Sequence, residues 1–236
     1  MDPTEQNRRA WDEVHRRRAE AMAGQLGIPE QIRALLPEVA GKHVLHLQCA
    51  TGESTADLVA LGALVSAVDI SAEALAVARE RVPDVAYVHA DVHELPLEIR
   101  RGRFDLVFTG GGVLVWLQDL DAWATGIASA LKPGGNLLLY DSHPIAQCVD
   151  ALGHWRNDYF DESLEQTSGL EHFELPGQPA TEEKRERHWQ LGQIVEALTG
   201  ARLHITHFAE FQTLYKWLQR DRRIPWDFAL IAEKHT

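Results

Sequence analysis

Residues Val44–Ser71 constrain the fold more than any other stretch. They read V-L-H-L-Q-C-A-T-G-E-S-T-A-D-L-V-A-L-G-A-L-V-S-A-V-D-I-S. An apolar run, Val44–Leu47, stops at a tight turn containing Gly52. A helical stretch, Ser54–Leu61, follows, and a second apolar run, Leu64–Val68, ends at Asp69. This is a strand–turn–helix–strand unit with a carboxylate at the tip of its second strand. In open α/β sheets a carboxylate there can accept two hydrogen bonds from the vicinal hydroxyls of a ribose. The pattern therefore points to a nucleoside-bearing ligand.

The same alternation continues. Ser71 caps a helix with Glu73 to Arg81 as its body. Strands are predicted at Val85–His89, within Arg103–Thr109 and within Asn136–Tyr140. A helix over Leu120–Leu131 is closed by K-P-G-G at Lys132–Gly135. Strands alternating with helices imply βαβ units and a parallel sheet. Upstream, helices are predicted over 4–24 and from Pro29 to about Leu36. Between Ser142 and about Glu186 the regular pattern fails, and a segment that long suggests a functional lid. Regularity returns with a helix over His188–Leu198 and strands over Arg202–Phe208 and Trp226–Glu233. The short connector between those strands makes them an antiparallel pair.

The expected architecture is an α/β, Rossmann-like three-layer sandwich. Its seven-stranded sheet is mostly parallel, with an antiparallel last strand, N-terminal helices and a lid insertion. A single domain is expected over 1–236. It divides into a helical cap (1–40), a ligand-binding core (41–142), a substrate lid (143–187) and a closing helix and hairpin (188–236).

Composition narrows the ligand. The 236 residues carry a net charge of −12, which disfavours tracking a phosphate backbone, so nucleic acid is not expected as a partner. A small-molecule substrate fits better. No apolar run approaches the roughly 20 residues that span a bilayer, so no membrane association is expected. The two cysteines, Cys49 and Cys148, form no disulfide framework or zinc pattern. The opening M-D-P-T-E-Q-N-R-R-A-W is unlike a secretory signal, and a cytoplasmic location is the simplest expectation. No metal site is expected: no H-x-x-x-H or C-x-x-C pair stands in context, and His204 and His207 would face opposite sides of a strand.

Several side chains are candidates for chemistry. His143 follows the predicted fifth strand in D-S-H-P, where strand ends line the crevice of such sheets. Its ordinary pKa near neutrality suits a general base. Asp141, two residues earlier, lies on the same side of an ideal strand and is expected to pair with it. Trp11 and His15 share a face of the first helix, and His188 opens the helix after the insertion. Thr109, Gly110 and Gly111 follow the fourth strand, where consecutive glycines allow a ligand to approach the backbone. Asp91 follows the third strand in A-D-V and could accept from an amino group.

Together these motifs resemble the class I methyltransferases that use S-adenosylmethionine. V-L-H-L-Q-C-A-T-G corresponds to that family's usual V-L-D-L-G-C-G-T-G, F-D-L-V at Phe104–Val107 to its fourth motif, and L-K-P-G-G at Leu131–Gly135 to the turn before its fifth strand. The resemblance covers residues 40–142 closely and 188–234 in topology. It implies S-adenosylmethionine as cofactor and S-adenosylhomocysteine as product. It also implies a donor pocket of Gln48, Cys49, Ala50, Thr51, Gly52, Asp69, Ile70, Asp91, Val92, Thr109, Gly110 and Gly111, with Trp11 on a covering helix. The first motif departs from the family: His46 replaces an acidic residue, and Gln48 and Ala50 replace glycines. The reaction implied is direct displacement onto a nitrogen, oxygen or carbon of a small metabolite, by a monomer or homodimer. The alternatives are a cyclase-like, non-methylating relative or a degenerate fold that binds a ligand or partner.

Overall fold

In the computed structural model, residues 2–18, 27–161, 163–168, 182–215 and 220–235 are described. Seven strands form one sheet: β1 (His43–Leu47), β2 (Leu64–Asp69), β3 (Ala86–His89), β4 (Phe104–Gly110), β5 (Leu131–Ser142), β8 (Leu203–Phe211) and β9 (Asp227–Lys234). Their spatial order is β3-β2-β1-β4-β5-β9-β8. The first five are parallel, and β9 runs antiparallel to both β5 and β8. The expected sandwich is therefore the one observed.

Side-chain alternation along the strands builds a core on each face. Val107, Leu137 and Leu139 face α5 (Leu120–Ala130) and α6 (Leu191–Gly200), where Trp123, Ile127, Ile194 and Leu198 are buried. Leu106, Phe108, Leu138 and Tyr140 face the opposite way, toward α2 (Glu30–Arg33) and α3 (Glu53–Ala60), meeting Ile32 and Leu58. A third cluster joins Cys49, Ala67 and Leu75 beneath α4 (Ala72–Arg81).

Several boundaries differ from the sequence reading: α2 is shorter than expected, and α6 begins at Leu191, so His188 precedes that helix rather than opening it. The first helix, α1, is described over Pro3–Arg18, and the expected continuation to 24 lies outside the described residues. K-P-G-G is part of β5 rather than a turn before it: Phe104 pairs with Leu131, and the register shifts before Leu106 pairs with Asn136. The insertion is not wholly irregular. A 3-10 turn spans Pro144–Cys148, and β6 (Leu164–Ser168) pairs antiparallel with β7 (Glu183–Arg187) in a two-stranded sheet of their own.

The strand order reverses between β1 and β4, because β2 and β3 lie on one side of β1 while β4 and β5 lie on the other. A crevice outside the strand carboxyl ends forms at such a switch point.

Candidate active site

The turn after β1 holds the backbone of a glycine-rich loop without its glycines. Gln48 and Ala50 have φ of +54° and +46°, and Gly52 has +84°. These are left-handed conformations that L-residues adopt at a cost. Gly52 opens α3, and a Cβ there would lie 3.1 Å from the Cβ of Ala78 on α4, so the turn packs tightly against its neighbour.

The non-glycine side chains take on bridging roles. The Gln48 amide spans the switch point, accepting from the Thr109 hydroxyl at 3.1 Å and donating to the Val113 carbonyl at 3.3 Å. Thr51 donates to Glu53, and its carbonyl accepts from Arg81. Cys49 is buried, and burial pushes its thiol well above the ordinary range, as befits a packing residue. His46 lies under the turn, its Nδ1 2.8 Å from the Thr55 hydroxyl, and burial pushes its pKa down to about 3. The ring is therefore neutral, and it meets Phe108 edge-on.

Asp69 stands at the end of β2, almost fully buried. One carboxylate oxygen accepts the Ala50 N–H and the other the Ser71 N–H, both at 2.8 Å. Burial raises its pKa, and those N–H groups oppose the rise. Each carboxylate oxygen has a further lone pair, so the residue can fix the turn and still accept from a ligand. Ile70 follows it, and its carbonyl lies 2.8 Å from His89 Nε2.

Asp91 begins a 3-10 turn containing the buried Val92. Its Oδ1 accepts from the His93 backbone and lies 2.7 Å from His93 Nδ1. Burial raises the Asp91 pKa, but the His93 hydrogen bonds outweigh it and leave the carboxyl below its usual range. His93 Nε2 in turn accepts the Gln118 N–H at 3.2 Å.

The glycine run after β4 has two functions. A Cβ on Gly110 would fall 2.0 Å from the Tyr140 carbonyl, so this glycine lets β4 lie against β5. Gly112, at φ +92°, has open space at the Cβ position. Beyond it, Asp141 accepts the Val113 and Leu114 N–H groups at 2.8 and 2.9 Å, and the Ser142 N–H at 2.6 Å. The expected pairing of Asp141 with His143 is therefore replaced by a carboxylate that shapes the loop after β4. Burial pushes its pKa up to about 6, against the opposing N–H groups.

His143 turns to Glu210 instead. Its Nε2 lies 3.0 Å from Glu210 Oε1, and its Nδ1 accepts the Ile145 N–H at 3.1 Å. The Nδ1 lone pair is thus occupied, and the neutral ring carries its proton on Nε2, facing the carboxylate. Burial lowers the His143 pKa, and Glu210 partly restores it. Of the other candidate histidines, His15 is buried in α1 with its ring stacked on Trp11 at 5.3 Å, and His188 is half-buried just after β7. The three histidines thus lie on three separate segments: in α1, between β5 and the Pro144–Cys148 turn, and between β7 and α6.

Trp11 on α1 meets Trp116 edge-on at 5.2 Å. Trp116 lies in the 3-10 turn Leu114–Trp116, directly after the loop held by Asp141. Sequence alone missed Trp116 as a partner of Trp11, and it missed the bridging amide of Gln48. Among the described residues, no group of three or more His, Cys, Asp or Glu side chains could hold a metal ion. No described helix is long and apolar enough to cross a membrane.

Residues 44–135 match the family model described as "Methyltransferase domain". A solved S-adenosylmethionine-dependent methyltransferase from Mesorhizobium loti superposes with a TM-score of 0.66 at 27% identity, covering 86% of this chain and 96% of that one. This core is a methyltransferase domain of the class I, S-adenosylmethionine-dependent family. An uncharacterized methyltransferase of Synechocystis sp. is 36% identical over 104 residues, covering 44% of this chain and 48% of the relative. A trans-aconitate 2-methyltransferase of Paracidovorax citrulli is 31% identical over 147 residues, covering 58% of this chain and 55% of that protein. The chain spans about half the length of the curated relatives it matches.

Proposed function

We propose that the chain transfers the methyl group of S-adenosylmethionine to a nucleophilic nitrogen, oxygen or carbon of a small molecule. The observation that carries this reading is the juxtaposition at the switch point. Asp69 ends β2 and Asp91 follows the adjacent β3 by two residues, and the left-handed turn 48–52 lies between Asp69 and the Gly110–Val113 loop. The donor set fits the cofactor: a carboxylate suits vicinal ribose hydroxyls, and a second suits an exocyclic amine.

When bound, S-adenosylmethionine supplies an already activated methyl group. The protein's own task is then alignment and exclusion of water. Asp69 both accepts from the ribose and fixes Ala50, so the turn and the sugar share one anchor. Gln48 and Asp141 hold the loop after β4 at a set distance from that turn. Glu210, the more exposed member of its pair with His143, offers a proton-accepting carboxylate at the end of β8, held by the Nε2 proton of His143. The cap α1 is tied to the core where Asp12 accepts from the Ser71 hydroxyl at 2.7 Å. The trans-aconitate methyltransferase relative supports a small-molecule acceptor.

Calorimetric titration with S-adenosylhomocysteine tests the reading. Micromolar binding, about −8 kcal/mol, that is lost in Asp69→Ala supports it. Absence of binding by the folded wild-type protein overturns it. Formation of S-adenosylhomocysteine during a substrate screen then separates methyl transfer from the cyclase-like alternative, in which the cofactor is not consumed.

A further inference from the structure

Asp91 has one oxygen to offer a ligand, and His93 takes the other. Oδ1 accepts the His93 backbone N–H at 2.9 Å and lies 2.7 Å from His93 Nδ1. Two donors fill the two lone-pair sites of that oxygen. Oδ2 has no partner among the described residues, and the side chain is 30% exposed.

The far side of the His93 ring is fixed as well. Nε2 lies 3.2 Å from the Gln118 N–H and 3.4 Å from the Asp119 N–H. Backbone N–H groups only donate, so Nε2 carries the lone pair and Nδ1 carries the proton. The ring therefore donates to Asp91. Only 11% of its side chain is exposed.

The supports of the ring belong to the core. Asp119 caps α5 by accepting the Ala122 N–H at 2.9 Å. Trp189 Nε1 donates to the Leu117 carbonyl at 3.1 Å, and Arg187 to that of Gln118 at 3.3 Å. Val92 and Leu95 flank His93 in sequence with a single residue, Glu94, between, and both are buried. A Cβ on Gly126 of α5 would lie 3.3 Å from Leu95 Cδ1, so the 3-10 turn packs directly on that helix. Asp91 is thus oriented by a ring that is itself held from two elements.

This arrangement has a chemical consequence. Burial works against the charge of Asp91, but the bonds from His93 outweigh it and keep the carboxyl below its usual range. An ionised carboxylate accepts and never donates, whereas a protonated one can donate. A 6-aminopurine presents a donor at its exocyclic position, and a 6-oxopurine presents an acceptor there. An oxygen that can only accept matches the first and repels the second.

We propose that His93 is the positioning residue for purine selection: by occupying Asp91 Oδ1 it commits Oδ2 to accepting a hydrogen bond, so the crevice takes a 6-aminopurine nucleoside and rejects its 6-oxo counterpart. This rests on the methyl-transfer reading of the crevice.

The test compares calorimetric titrations of S-adenosylhomocysteine and of its 6-oxo analogue, S-inosylhomocysteine. Wild type is expected to prefer the amino compound by at least about tenfold. His93→Leu removes both ring nitrogens and is expected to narrow that preference at least about threefold. His93→Asn places a donor near the position of Nδ1 and is expected to retain it. Should His93→Leu fail to fold, His93→Gln, which fills the ring's space without a donor at Nδ1, carries the same comparison. Nitrogen-15 NMR of the ligand-free wild type is expected to show His93 protonated on Nδ1 and not on Nε2. The opposite tautomer overturns the proposal. So does a His93→Leu protein that binds both compounds more weakly by the same factor, because that is the mark of a merely structural role. Binding of S-adenosylhomocysteine with the preference unchanged in His93→Leu overturns the proposal alone. Failure of folded wild type to bind S-adenosylhomocysteine overturns the methyl-transfer reading beneath it.

Discussion

The carboxylate of Asp141 accepts the backbone N–H groups of Val113 and Leu114 at 2.8 and 2.9 Å, tying the end of β5 to the loop after β4. That loop carries Trp116 and the carbonyl that meets Gln48, so one buried acid sets the shape of the crevice wall. Its pKa of about 6 lies above the ordinary 3.8 because burial disfavours the charge. The folded protein therefore holds a proton that the unfolded chain releases between those values. The stability this group contributes is present below about pH 4 and lost as pH rises through about 6. The change amounts to about 3 kcal/mol. Asp141→Asn removes this dependence. In urea titrations its deficit relative to wild type is expected to be largest at pH 4 and to shrink at pH 7. A deficit independent of pH would assign the titration elsewhere.

Ala50 pays for a left-handed backbone that glycine adopts freely. Ala50→Gly relieves about 1–2 kcal/mol of strain and returns about 0.4–1 kcal/mol in unfolded-chain entropy. The net gain is expected to raise the melting temperature by about 1–4 °C for a chain of this size. Gln48→Gly relieves the same strain but loses the bonds to Thr109 and Val113, so it is expected to gain less or to lose. Thermal melts of the two variants side by side check the order.

The glycines after β4 are expected to differ sharply in tolerance. Gly110→Ala drives a Cβ to 2.0 Å from the Tyr140 carbonyl, a backbone collision that moves β4 away from β5. A loss of several kcal/mol, or failure to fold, is expected. Gly112→Ala meets no atom within 4 Å and bears only its left-handed conformation, about 1–2 kcal/mol. Chemical denaturation of both variants measures the gap, and equal losses would contradict the packing argument.

The regular part of the fold was legible because its strands are apolar and its helices capped. V-L-H-L, L-V-S-A-V-D and L-L-L-Y announce buried parallel strands, and Asp69 lies at the end of β2 and Asp91 just after β3. The β6–β7 hairpin was not legible, because β7 reads E-K-R-E-R and its inward residues are the charged Lys184 and Glu186. No hydrophobic alternation marks a strand whose buried face is ionic. Asp141 shows a different limit. Alternation gave its side of β5, but its partners are backbone groups on a neighbouring loop, which side-chain patterns do not encode. His143 was placed at the right strand end, yet its partner Glu210 lies 67 positions away, across a hairpin whose register sequence alone does not fix.

His46 and Thr55 form a buried pair beneath the cofactor-side turn, 2.8 Å apart. Removing only the hydroxyl with Thr55→Val leaves a buried ring nitrogen without its partner, at a cost of about 1–3 kcal/mol. Replacing both, as His46→Leu with Thr55→Val, removes the need for the bond and is expected to recover most of that loss. The pair also governs acid sensitivity. The His46 pKa of about 3 lies below its ordinary 6.5, so the unfolded chain binds a proton that the folded chain refuses. Its contribution is complete above pH 6.5 and is lost as pH falls toward about 3, opposite in sign to that of Asp141. In the double variant the decline in stability between pH 6.5 and 4 is expected to flatten, as followed by denaturant midpoints across that range. A decline identical to that of wild type would show that another group drives acid unfolding.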